Sequence, residues 1–317
     1  MVLAESPRDL PAHVPALDGI RGTAVLIVVA SHLPVLLRFQ AVTPWNNLNR
    51  LLLGGFLGVD IFFVLSGFLI TSLLLMERSN NSRISRSNFY ARRALRLLPA
   101  LYLLLAVDAA IAVFEKQPFS GQWNETWTSL LYLNNWYYVL PWLSRGSVNF
   151  ESNLGHLWSL AVEEQFYLLW PMVLMLLLRF RRPKVFAPIL ISLFIGVIIL
   201  RRTILWNDDV NWMVILIRTD ARLDSLLIGA LLALFYRHAV VDKKVLKLTA
   251  YAALPIFIVI AYQGPSNSFL YTSGFTLVAV AILVMILASV EKAWLVSRVL
   301  EQSWLRFIGR ISYGLYL

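Results

Sequence analysis

The chain has 317 residues, of which 59% are apolar, and it carries a formal net charge of +10 with no cysteine. That much apolar sequence excludes an ordinary soluble domain, and the missing thiols exclude disulfides and thiol chemistry and leave the redox compartment unread. In a soluble protein the basic balance would point to nucleic acid. Here the arginines cluster beside apolar runs, so anionic lipid and the positive-inside rule account for them.

Many runs approach or exceed the ~20 residues needed to cross the hydrocarbon. Short alternating strands of the β-barrel kind are absent from the pattern. The expected fold is all-α, a polytopic transmembrane bundle of about nine to ten spans in one domain over 1–317. Residues 1–16 form a polar tail. Span one is expected over 18–37; it is long, holds an Arg and is followed by further spans, so it reads as a retained helix, not a cleaved signal. Span two is expected over 54–76. Then Arg78, Arg83, Arg86, Arg92, Arg93 and Arg96 follow with no acid among them. This loop is expected in the cytoplasm, and two preceding spans put the N-terminus there too.

Span three is expected over 97–114. The stretch 127–142 is rich in Trp and Tyr, and helix parity makes it interfacial or re-entrant, not a crossing. Span four covers 157–178 and ends in Arg179 to Lys184, a second cytoplasmic signature. Span five is expected over 185–200, a short extra element within 203–220, span six over 221–236, span seven over 248–262 and span eight over 269–289. A last apolar run starts near Trp304 and stops at Leu317, too short to span, so the last helix reads as incomplete.

Ionisable groups inside such spans are expensive and mark functional candidates. In span one, Arg21 and His32 are eleven residues apart. At about 100° per residue this is within about 20° of three turns, so both share one face about 16 Å apart. Topology stacks the others by depth. His32, Asp60, Glu163 and Glu164 are expected in the outer half, with His156 at the entrance of span four. Arg21, Arg92, Arg93 and Arg96 are expected in the inner half. Adjacent Glu163 and Glu164 point about 100° apart, so one of them faces the site.

A His beside a carboxylate is the usual general base, and an Arg cluster suits a phosphorylated donor. Together they imply transfer from a cytosolic donor to an acceptor hydroxyl. Each residue also has a plainer reading. Arg21 can snorkel to the interface, the loop arginines can serve topology and lipid contact, and Asp60 can complement a helix N-terminus. His13 and His238 read as bland. The spacing of His156 and the two Glu lacks a metal-ligand signature, so no metal is assigned. No nucleotide fingerprint or nucleophile elbow is present.

Several stretches resemble the integral-membrane acyltransferase-3 family. LDGIRGTAVLIVVASH, with Arg21 and His32, is similar to its opening. Gly58 to Thr71 resembles its second-helix motif, Phe89 to Pro99 its Arg-x-x-Arg motif (Arg93 and Arg96), and His156 to Pro171 its fourth signature. Arg222 to Ala233 and Gly309 to Leu317 resemble later blocks. The resemblance implies a bundle of about ten helices and acyl transfer, commonly acetyl, from acyl-CoA as co-substrate to a carbohydrate or glycosylated acceptor. It implies His32 as the base and Arg21, Arg93 and Arg96 as donor or substrate contacts. Asp60 and Glu163 or Glu164 would tune His32. The expected setting is the cell membrane, without nucleic acid. A proton-coupled transporter or flippase of a glycan or acyl carrier is the alternative, with His32, Asp60 and the Glu pair as a relay; inverted repeats that would favour it are not seen.

Overall fold

A computed structural model describes residues 13–36, 46–116, 119–140, 152–179, 183–205, 212–236, 241–264 and 268–317. Among them the secondary structure is helical throughout, with no strand. The elements are α1 (Pro15–Leu36), α2 (Asn46–Leu53), α3 (Gly58–Asn81), α4 (Arg86–Phe114), α5 (Phe119–Leu130) and α6 (Asn134–Val139), then α7 (Trp158–Arg179), α8 (Pro183–Leu205), α9 (Trp212–Ile217) and α10 (Thr219–Tyr236). α11 (Lys243–Gln263), α12 (Phe275–Val290), α13 (Val296–Leu300), α14 (Ser303–Arg310) and α15 (Ser312–Tyr316) complete the chain.

Six helical stretches are long and apolar enough to cross a membrane: Pro15–Leu33, Asn47–Asn81, Arg86–Phe114, Gly155–Arg179, Lys243–Gln263 and Leu270–Val290. They coincide with expected spans one to four, seven and eight. The places expected for spans five and six are also helical, as α8 and α10. These two carry internal charges: Arg201 and Arg202 in α8, and Asp220, Arg222 and Asp224 in α10. The stretch expected at the interface breaks into α5 and α6, each far shorter than a span; Trp142 lies outside the described residues. α9 is the short element expected within 203–220.

α3 is the central helix, packing on α1, α7, α10 and α12. Two glycines let it lie against α10. A Cβ on Gly67 would strike the Leu226 carbonyl, and one on Gly229 would strike the Val64 carbonyl. The main apolar cluster joins residues such as Ala24, Val64, Phe68, Ala233 and Phe275, all at most 2% exposed. A second cluster on the other side of α3 joins Phe63, Leu74, Val162, Phe166, Trp170 and Leu226. Lipid-facing side chains remain outside: Leu103, Val113, Leu168 and Leu248 are well exposed, as expected where lipid replaces water.

Polar bonds register the helices. Trp170 Nε1 donates to Thr71 Oγ1 at 2.8 Å, tying α7 to α3, and the Tyr90 hydroxyl donates to the Leu168 carbonyl at 2.7 Å, tying α4 to α7. Gln165 of α7 accepts from Trp136 Nε1 at 3.0 Å and donates to the Tyr132 carbonyl at 2.7 Å. This fastens the α5–α6 segment over one end of α7.

Candidate active site

The α3–α4 turn sets up the cationic side of the site. Ser82 ends α3 in the left-handed region at φ 58°, and Ser85 caps α4 by accepting from the Asn88 N–H. α4 then brings Arg92, Arg93 and Arg96 to one cavity with Arg21 of α1. The cavity encloses about 630 Å³. Its lining on α3 runs from Val59 to Asn81, one face followed for about 33 Å of helix. It is polar at Asn80, Asn81 and Asn88, aliphatic at Leu69, Leu73 and Met76, and charged again at Arg21, Arg93 and Glu163.

Arg93 is held hardest. Its Nε lies 3.2 and 3.0 Å from the two Glu164 oxygens and its Nη2 donates to Glu164 Oε1 at 2.8 Å. Its guanidinium also lies 3.2 Å from the Tyr167 ring centre, a stacked and forked arrangement that lysine cannot copy. Glu163 turns to another neighbour and accepts from Ser66 Oγ at 2.8 Å. Glu163 lines the cavity and Glu164 does not, so one carboxylate of the pair faces the space, as the helical angle requires. Arg21 and Arg93 both act electrostatically on Glu163. Arg92 sits at the mouth, 66% exposed and 3.8 Å from Glu77. Arg96 lines the cavity with no ion-pair partner among the described residues.

The expected grouping of His32 with Asp60 and the Glu pair does not form. His32 is exposed and sits on the same helix as Arg21 but outside the cavity lining. Its Nδ1 lies 2.9 Å from the Val28 carbonyl. A carbonyl only accepts, so Nδ1 is the nitrogen that donates there, and in the neutral ring Nε2 is the one that carries the lone pair. The tautomer is set by the helix's own backbone, not by a carboxylate. Electrostatically, His32 acts on His156. The His156 ring meets the Tyr316 ring edge-on at 5.7 Å, and its buried Nε2 has no hydrogen-bond partner among the described residues. The Tyr316 hydroxyl donates to the His156 carbonyl at 2.7 Å and accepts from Ser159 Oγ at 2.5 Å. Tyr316 lines the cavity, so it stands between that space and His156.

Asp60 belongs elsewhere. It is fully buried and accepts from Arg222 Nη2 at 2.5 Å and from Ser225 Oγ at 3.2 Å. Next to this pair, Arg201 is bonded to Asp224, and Thr276 donates to Asp224 at 2.7 Å. Arg222 also lies 3.6 Å from the Phe275 ring centre. Asp60 therefore pins α3 to α10, and its described partners are Arg222 and Ser225, not His32. Of the plainer histidines, His13 pairs with Asp18 at 2.9 Å, and His238 lies outside the described residues.

Sequence reasoning missed Ser66, Tyr167, Tyr313 and Tyr316 as cavity residues, and Arg201, Arg222 and Asp224 as partners. The last three had a signal: they are ionisable groups in apolar helices. The hydroxyls had none, since Ser and Tyr are ordinary in spans.

Residues 14–317 match the family model described as an acyltransferase domain, Acyl_transf_3. The chain is 35% identical over 317 residues to the peptidoglycan O-acetyltransferase OatA of Listeria monocytogenes, covering 96% of this chain and 48% of that protein. It is 33% identical over 316 residues to the putative peptidoglycan O-acetyltransferase YrhL of Bacillus subtilis, with the same coverage of 96% and 48%. It is 32% identical over 323 residues to the O-acetyltransferase OatA of Staphylococcus aureus, covering 97% of this chain and 50% of that protein. The chain thus spans about half the length of these curated relatives. No solved structure matches it. With the Arg-lined cavity formed by the same blocks that carry the resemblance, the match over almost all of its length shows that the chain belongs to the acyltransferase-3 family.

Proposed function

We propose that this protein is a multi-pass cell-membrane O-acyltransferase that moves an acyl group, acetyl in the first instance, from acyl-CoA to a hydroxyl of a carbohydrate acceptor. The relatives' names point to peptidoglycan as that carbohydrate. The observation that carries the reading is the convergence of Arg21, Arg92, Arg93 and Arg96 on one elongated cavity that also holds Glu163. Guanidinium groups bind phosphate bidentately, and the aliphatic middle of the cavity suits the thin arm that links the phosphates of coenzyme A to its thioester.

In this reading the cavity mouth at Asn80, Asn81 and Arg92 faces the cytoplasm, where acyl-CoA is found. The N-terminus is cytoplasmic, and α8 and α10 join the six long apolar helices as spans, with the bundle reaching about nine to ten. His32 acts as general base on the acceptor hydroxyl, directly or after the acyl group has been passed along the site. The bond from Nδ1 to the Val28 carbonyl supports that role, since in the neutral ring it leaves Nε2 as the basic nitrogen. Such a base contributes about 10²- to 10⁴-fold.

The test is transfer of radiolabelled acetyl from acetyl-CoA to membrane glycans. It compares cells making the native chain with cells making His32→Ala at equal membrane abundance. Label on glycan with the native chain and its loss with His32→Ala is the expected result. Equal labelling by both variants would remove His32 from the chemistry.

A further inference from the structure

The cavity and His32 do not coincide, and Tyr316 stands between the cavity and the neighbouring His156. A thioester seated among the arginines is therefore offset from the base that would activate the acceptor. One hydroxyl on the cavity is bonded to a carboxylate. Ser66 Oγ donates to Glu163 Oε1 at 2.8 Å, from α3 to α7, and both residues line the cavity. The other cavity hydroxyls have different partners: Ser159 and Tyr316 bond each other, and Tyr313 donates to the Leu97 carbonyl at 3.0 Å. Among the described hydrogen bonds of the cavity hydroxyls, that of Ser66 is the one made to a carboxylate.

A hydroxyl bonded to a half-buried carboxylate base is the arrangement of an activated nucleophile. Arg21 and Arg93, both acting electrostatically on Glu163, supply positive charge where a thioester oxygen would become negative.

We propose that Ser66 carries the acyl group as a covalent ester between acyl-CoA and the acceptor, with Glu163 as its base. This step rests on the acyl-transfer reading. Ser66 Oγ attacks the thioester carbonyl carbon, the C–O bond forms and the C–S bond breaks. Glu163 takes the hydroxyl proton and gives it to the departing thiolate, leaving free coenzyme A and an acyl-serine. The acceptor oxygen then attacks the ester carbon, the bond to Ser66 Oγ breaks, and the acceptor's proton ends on Oγ.

The experiment uses the purified full chain in nanodiscs with radiolabelled acetyl-CoA, quenched with and without a peptidoglycan-fragment acceptor. Without acceptor, label is expected to stay on denatured protein and to map to the peptide holding Ser66. Ser66→Ala loses both the adduct and at least 100-fold in transfer at equal melting temperature. Ser66→Cys forms a thioester adduct released by neutral hydroxylamine, while the native oxygen ester resists it. Glu163→Gln slows adduct formation by about 10²-fold, and His32→Ala keeps the adduct but fails to pass it on. Transfer by the native chain with no protein-bound label, or full transfer by Ser66→Ala with label on a tyrosine, would overturn the proposal and leave acyl transfer standing. Neither label nor transfer from the native chain would overturn both.

Discussion

Two charge clusters stand on opposite sides of α3, and they are built on opposite terms. The Asp60, Arg222, Arg201 and Asp224 cluster holds two cations and two anions, each at most 1% exposed. Its charges balance, two against two, although Arg201 and Arg222 each keep two buried nitrogens without a partner among the described residues, and none of the four lines the arginine cavity. The Arg21, Arg92, Arg93 and Arg96 cluster is open. Glu164 occupies one face of Arg93, but Arg96 has no acid among the described residues, and Arg21 reaches Asp18 only at 3.9 Å. A closed set of buried charges is spent on holding helices together. An open set with excess positive charge on a cavity has binding capacity for an anion. Where a charge within an apolar helix is a functional candidate by default, it is this difference in charge balance and cavity access that separates a structural cluster from a site.

The closed cluster is broken most severely by removing one partner. Arg222→Ala leaves Asp60 buried and uncompensated, which costs about 3–5 kcal/mol, and is expected to remove folded protein from the membrane. The double variant Asp60→Leu with Arg222→Leu is expected to recover most of the loss, read by thermal melting in detergent. If Arg222→Ala instead melts like the native chain and loses only activity, the cluster is not structural.

His32 lies outside both clusters and sharpens the contrast. His32→Ala is expected to lower kcat by about 10²- to 10⁴-fold with melting temperature and donor binding unchanged, since its one described backbone bond stays within its own helix. A matching loss of donor binding would put His32 in the anion site.

Arg93 belongs to the open cluster but is its best-anchored member. Arg93→Gln is expected to raise KM for acyl-CoA by about 100-fold, the scale of one or two charge-assisted hydrogen bonds at about 1.5–3 kcal/mol each. Arg93→Lys is expected to restore little, because a point charge cannot make the fork to Glu164. Full rescue by lysine would reduce Arg93 to a simple positive charge. The smallest effect is expected at Arg92. It is 66% exposed, and the screening of surface ion pairs limits Arg92→Gln to about 0–1 kcal/mol in donor affinity, measurable as a shallow change in its salt dependence.

Much of this was legible in the chain because the membrane simplifies the problem. Long apolar runs fix α1, α3, α4, α7, α11 and α12 by length, and the arginine-rich loop orders them in depth. Depth was enough to bring Arg21 together with Arg92, Arg93 and Arg96. The 100° step between Glu163 and Glu164 was enough to send one to the cavity and the other to Arg93. Partner choice was not legible. Asp60 and His32 were expected in one half of the membrane, but Asp60 finds Arg222, 162 residues further on, on the helix that packs most extensively against α3. The Gly67 and Gly229 contact that seats α10 there leaves no pattern in hydropathy. Ser66 was silent for the same reason: its role comes from Glu163, 97 residues away.

The account's central claim is that the open cluster binds the donor with charge the fold does not need. Arg96 tests it most directly, since it lines the cavity without an ion pair. The measurement is equilibrium binding of tritiated acetyl-CoA to the native chain and to Arg96→Gln in nanodiscs, alongside their melting temperatures. About a tenfold loss of affinity, the scale of one charge-assisted hydrogen bond, with an unchanged melting temperature is the predicted result. Unchanged affinity, or a loss that tracks a fall in melting temperature, would contradict it.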